Sequence, residues 1–230
     1  MANKAIHAGR ALYSVLRYWR SVGLNKLELP ELQQSEDDVA IQKDSKLQKL
    51  AELANQCALC KNCALHLGRN RSIFGQGPLQ APLMFIGSAP TALEESTTLA
   101  FQGEEGELLD RMLNKMGFSR EQVYLTYATP CHAPNDRAPT WEELLICRPW
   151  LIQQIELVEP RCIVTLGTTA SQILLERQFS ISHLRGQWQK FQKIPVMPTY
   201  HPGFLLKKSS ARKDVWTDML AVLEVLNSKN

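Results

Sequence analysis

Leu83-Met84-Phe85-Ile86-Gly87 is an unbroken apolar run stopped by a glycine, the pattern of a strand buried on both faces. The same pattern returns at Ile163-Val164-Thr165-Leu166, stopped by Gly167, and more briefly at Val123 to Tyr127 and Ile194 to Met197. Helical patterns separate these runs. Leu108, Leu109, Met112, Leu113 and Met116 form one stripe, Trp141 to Leu157 and Thr169 to Leu175 read as two more helices, and Val215 to Leu226 as the last. Such alternation predicts an α/β chain, a three-layer α/β/α sandwich with a mainly parallel central sheet, in which ligands gather where strands end. Gly87, Tyr127 and His201 stand at such ends, and a Pro-rich loop from Thr129 to Thr140 follows the second strand.

The flanking sequence is of another kind. Leu12, Val15, Leu16, Trp19 and Val22 share one helical face, with Lys4, Arg10, Arg17 and Arg20 supplying charge. Residues 1–26 therefore read as a basic amphipathic helical arm, with Leu12, Leu16 and Trp19 as candidate partner-binding residues. Residues 27–48 are polar, and their acids outnumber their lysines, which reads as a flexible acidic linker. The main domain is expected over 49–230. With 230 residues, 44% of them hydrophobic and 21% charged, the chain can bury one substantial core, and its net charge of +3 announces no particular partner. No apolar stretch approaches the roughly 20 residues of a membrane span, and the first residues do not form an export signal. A cytoplasmic protein with reduced cysteines is the expectation.

Those cysteines carry the first chemical signal. Cys60 and Cys63 form a C-x2-C pair, 67 residues separate Cys63 from Cys131, and 15 separate Cys131 from Cys147. Four thiols in this split arrangement suit a zinc ion or an iron–sulfur cluster tying distant segments together, and spacing does not choose between them. Cys57 extends the motif to C-x2-C-x2-C, so the register of the pair is open on local grounds. Cys162, at the head of an apolar strand, reads as a core thiol.

Cys60 and Cys63 are followed by Leu65, Arg69 and Phe74-Gly75-Gln76-Gly77. Further on come Gly87 with Ala89-Pro90, Phe101 before Gly103, Arg137-Ala138-Pro139 after Cys131, Leu166-Gly167, Arg185-Gly186, and His201-Pro202 with Leu205-Leu206. From about Gln56 onward this ensemble resembles the family-4, iron–sulfur uracil-DNA glycosylases. The resemblance implies a uracil-DNA glycosylase-like fold and a [4Fe–4S] cluster on Cys60, Cys63, Cys131 and Cys147, with Cys57 as the extra thiol. It also implies a pocket for a base flipped out of DNA, in which Gly87, Ala89 and Pro90 form a wall and Phe101 a stacking platform. Glu94 would help to exclude thymine, and His201 would donate to the uracil oxygen as negative charge grows there. Leu205 or Leu206 would enter the duplex, with Arg137, Lys207, Lys208, Arg212 and Lys213 near DNA.

Three departures bear on activity. Ser88 stands where the family carries an acid, Tyr127 where it carries an asparagine that pairs with the uracil edge, and Asp136 where it usually carries asparagine. A serine can orient a water but not stabilise a cationic sugar as a carboxylate does, and a phenol cannot both donate to and accept from uracil as an amide does. The expectation is an iron–sulfur DNA-binding protein of repair or replication with weakened or lost uracil excision. The alternative is an active monofunctional glycosylase. Tyr13 to Pro30, with Trp19, Gly23-Leu24 and Leu29-Pro30, also resembles the N-terminal arm of the psi subunit of bacterial DNA polymerase III. That likeness implies a scaffold role with the chi subunit and clamp loader as partners.

Overall fold

The computed structural model describes residues 36–228. Its first helix, α1 (Glu36–Leu59), crosses the stretch expected to be a flexible linker, whose described part, 36–48, is helical. Of the acids that suggested a tether, Glu36, Asp37 and Asp38 open this helix, where negative charge is favourable, and much of the remainder is rich in Ala, Leu, Lys and Gln. Leu53 and Cys57 are buried one turn apart on its inner face. Gln42–Asn230 cluster as one compact unit.

After the short α2 (Leu65–Gly68) come β1 (Leu83–Gly87), α3 (Ala92–Thr97), α4 (Gly103–Met116), β2 (Tyr124–Tyr127) and α5 (Trp141–Val158). They are followed by β3 (Cys162–Leu166), α6 (Gly167–Leu175), α7 (Ile181–Leu184), β4 (Gln189–Phe191), β5 (Ile194–Thr199), α8 (Pro202–Lys207) and α9 (Arg212–Asn227). The sheet runs β2-β1-β3-β5-β4. Its first three pairings are parallel, and β4 is an antiparallel edge on β5. The sandwich and the parallel sheet are as the apolar runs predicted. The edge strand, Gln-Lys-Phe, is too short and polar to stand out in the sequence.

Every residue of β1 and β3 is buried, because alternate side chains feed two cores. Met84, Ile86, Tyr124 and Ile163 pack with Leu151 and Ile155 of α5. Leu83, Phe85, Leu125 and Val164 pack with Leu109 and Leu113 of α4 and Val215, Met219 and Val222 of α9. Tyr127 and Phe101 belong to this second core. The parallel register sets Gly87 opposite Tyr127, so the ends of β1 and β2 open at one level. No helix among the described residues is long and apolar enough to cross a membrane.

Candidate base pocket and cysteine cavity

At the carboxyl ends of the strands lies a cavity of about 440 Å³, lined by Ser88, Ala89, Pro90, Glu94, Phe101, Glu105, Tyr127, Asp136, Arg137 and His201, among others. Tyr127 fills its floor. The phenol ring stacks on Phe101 with centroids 4.8 Å apart and planes inclined by 21°, and Tyr127 is only 3% exposed. Its oxygen accepts from the Phe101 N–H at 2.7 Å, and its hydroxyl faces the Glu94 carboxylate. Burial, and then the Glu94 charge, push the phenol far above its ordinary range, so it stays neutral. Gly87 makes room for the stack, since a Cβ there would stand 2.9 Å from both rings.

Phe101 itself is held in a costly conformation. Its φ of +52° is left-handed, unusual for a bulky side chain and typical of functional sites. Arg120 supplies the restraint, donating to the carbonyls of Ala100 and Phe101 while pairing with Asp110. Glu94 restrains the other side by accepting from the N–H groups of Thr91 at 2.6 Å and Gln102 at 3.1 Å. Its oxygens are therefore engaged in anchoring the loop that carries Phe101. Glu95, also buried, accepts from the N–H of Asn70 at 2.8 Å, which joins α3 to the cysteine-bearing segment.

His201 caps α8. Its Nδ1 accepts from the Gly203 N–H at 3.2 Å, which leaves the ring proton on Nε2. Burial lowers its pKa, so the imidazole is neutral at pH 7 and offers an N–H donor at the cavity. Gly167, at φ +86°, lies close beneath it, with room for a Cβ only 3.2 Å from that of His201. Glu105 was not singled out from the sequence. Its Oε2 stands 3.7 Å from His201 Nδ1, and burial followed by the Glu94 charge raises its pKa. An acidic pair in the first turn of the helix after Phe101 was the available signal.

The remaining candidates divide. Ser88 lies on the cavity wall. Asp136 also lines it, but its Oδ1 accepts from the Ala92 N–H at 3.0 Å and lies 2.8 Å from His132 Nε2, so it braces the start of α3. Arg137 closes its fork on Glu143, with N–O distances of 2.8 and 2.7 Å. Leu205 needs correction as a duplex wedge: it is 1% exposed and belongs to the core. Pro202 and Leu205, three residues apart, take the buried face of α8, which leaves Phe204 as its exposed apolar tip at 39%. Leu206 is partly buried against the same core. Lys207, Lys208, Arg212 and Lys213 are exposed beside it. Leu12, Leu16, Trp19 and the arm they define lie outside the described residues.

On the other side of α3 the cysteines converge. Cys60, Cys63, Cys131 and Cys147 line one small cavity with Cys57, Arg69 and Trp150. Arg69 Nη1 donates to Cys131 Sγ at 2.7 Å, and Nη2 donates to the carbonyls of Ala58 and Cys60 at 2.7 and 2.8 Å. Burial is the first cause pushing up the Cys57 thiol, to about 12, and also raises Cys131 and Cys147, with neighbouring thiols adding to each. Such a set ionises only if a positive centre sits among the sulfurs. Among the described residues, no group of three or more His, Cys, Asp or Glu side chains is arranged to hold a metal ion. Cys162 is fully buried in the sheet core, as its apolar context predicted.

The strand ends of this α/β sheet thus carry a stacked aromatic pair and a neutral histidine around one cavity, and the cysteines line a second. The uracil DNA glycosylase superfamily model matches residues 74–223. A type-4 uracil-DNA glycosylase of Saccharolobus solfataricus is 37% identical over 77% of this chain and 86% of its own. Those of Thermotoga maritima, 38% identical over 66% and 80%, and Archaeoglobus fulgidus, 32% over 80% and 96%, are similar. The chain belongs to the uracil-DNA glycosylase superfamily, within its type-4 family.

Proposed function

We propose that this chain is a DNA-binding protein of DNA repair in which uracil excision is weakened or lost. The observation that carries the reading is Tyr127 stacked on Phe101 at 4.8 Å, in the place where a flipped base needs an open aromatic face. Ser88 supports it, since no carboxylate occupies that position to assist water or the sugar cation. Basic side chains beside α8 suit phosphate contact.

The cysteine cavity is proposed to hold a [4Fe–4S] cluster on Cys60, Cys63, Cys131 and Cys147. Four thiols converging on one small cavity, two of them buried, with a single guanidinium on the Cys131 sulfur, fit an anionic iron–sulfur centre. When bound, that group supplies a covalent tie between the end of α1, the loop bearing Cys131 and α5. A separate proposal concerns the arm bearing Leu12, Leu16 and Trp19: it binds a protein partner, and equal recovery of partners with and without residues 1–30 would refute it.

The alternative is an active monofunctional glycosylase, favoured by the neutral His201 beside a remaining cavity of about 440 Å³. A duplex carrying one uracil, incubated with purified protein and then treated with alkali, separates the two readings. The proposal expects strand cleavage close to that of a His201→Ala control. Cleavage well above that control would establish the alternative.

A further inference from the structure

The cysteine cavity is lined by five thiols, one more than a [4Fe–4S] cluster with a cysteine on each iron uses. Cys57 differs from an ordinary core thiol. Cys162, the comparison within this chain, packs among apolar side chains of the sheet core, whereas Cys57 is fully buried and lines the cavity shared by the other four. It occupies the last turn of α1, and the Cys60 N–H donates to the Cys57 carbonyl at 3.2 Å. Cys57 and Cys60 therefore hang from one turn and approach the cavity from the same side, while Cys131 arrives on a separate loop and Cys147 on α5. Cys60 is the more exposed of the two.

We infer that Cys57 is a reserve ligand that takes over the iron held by Cys60, keeping the cluster bound when Cys60 lets go; this rests on the cluster reading above. In the exchange the iron–sulfur bond to Cys60 breaks and one to Cys57 forms. The proton of the Cys57 thiol passes to the Cys60 sulfur, and no electron is transferred.

The test uses the full chain, reconstituted without oxygen from ferrous iron and sulfide, and reads iron and sulfide per chain with the visible absorption of the cluster. The inference expects about four irons per chain in wild type, Cys57→Ser and Cys60→Ser, and a clear loss in the Cys57→Ser/Cys60→Ser double variant and in Cys131→Ser. Loss of iron in Cys60→Ser as complete as in the double variant would overturn it. Wild type that takes up no iron would instead overturn the cluster reading, and this inference with it. If Cys60→Ser fails to fold, the half-life of the wild-type cluster against a chelator is compared with that of Cys57→Ser. The inference expects a drop of about fivefold without the reserve thiol, and an unchanged half-life counts against it.

Discussion

Replacing Tyr127 by asparagine removes the ring that covers Phe101 and restores an amide at the end of β2. For a base to lie on Phe101 in the wild-type protein, two interactions must break. The aromatic stack is worth about 1 kcal/mol and the bond from the Phe101 N–H about 1. Together they amount to about 2 kcal/mol, which leaves the open arrangement populated at about one part in 30. Tyr127→Asn should therefore raise single-turnover excision from a uracil-containing duplex by about 30-fold over wild type. His201→Ala in the same background should abolish the gain. The substitution also empties a buried aromatic site, so denaturant unfolding should report a loss of about 3 kcal/mol. Excision by Tyr127→Asn no faster than by wild type, with the variant folded, would refute the reasoning.

Further consequences follow from the same contacts. Adding Ser88→Glu to Tyr127→Asn should increase excision again by about 10²-fold, the scale of a positioned acid or base, and kinetics of the double against the single variant check it. Leu205→Ala should cost about 3 kcal/mol in denaturant unfolding, whereas Phe204→Ala should stay within about 0.5 kcal/mol yet weaken DNA binding in a titration; the reverse pattern would restore Leu205 as the wedge. Arg137 holds the Glu143 carboxyl below its usual range, so this pair stabilises at neutral pH and its contribution is lost as pH falls through the depressed folded value. The stability gap between wild type and Glu143→Gln should therefore be full above about pH 5 and shrink below about pH 4. Arg69→Gln should shorten the life of the reconstituted cluster in air, followed by loss of visible absorption, because it removes the donor to Cys131 Sγ.

The sheet was legible because its central strands are buried on both faces, so Leu83 to Ile86 and Ile163 to Leu166 read as unbroken apolar runs. The polar Gln189–Phe191 gave no such signal, since an edge strand needs backbone pairing more than apolar side chains. Residues 36–48 misled for a related reason. Their acids and lysines resemble a tether, while a mostly exposed stretch of helix such as 44–48 is compatible with the same composition. At the pocket, Tyr127 and Ser88 stood out against the family motif, but only the structure places the Tyr127 ring on Phe101. Glu105 escaped because its proximity to His201 arises from the packing of α4 against α8, elements far apart in sequence. Leu205 was misjudged because α8 was not recognised as a helix, so its burial three residues after Pro202 went unread.

Whether Tyr127 occupies the stacking face of Phe101 is read from a crystal structure of the protein soaked with uracil. The two rings should remain stacked, at 4.8 Å, with no base between them. Uracil lying flat on Phe101, with Tyr127 swung away, would contradict it.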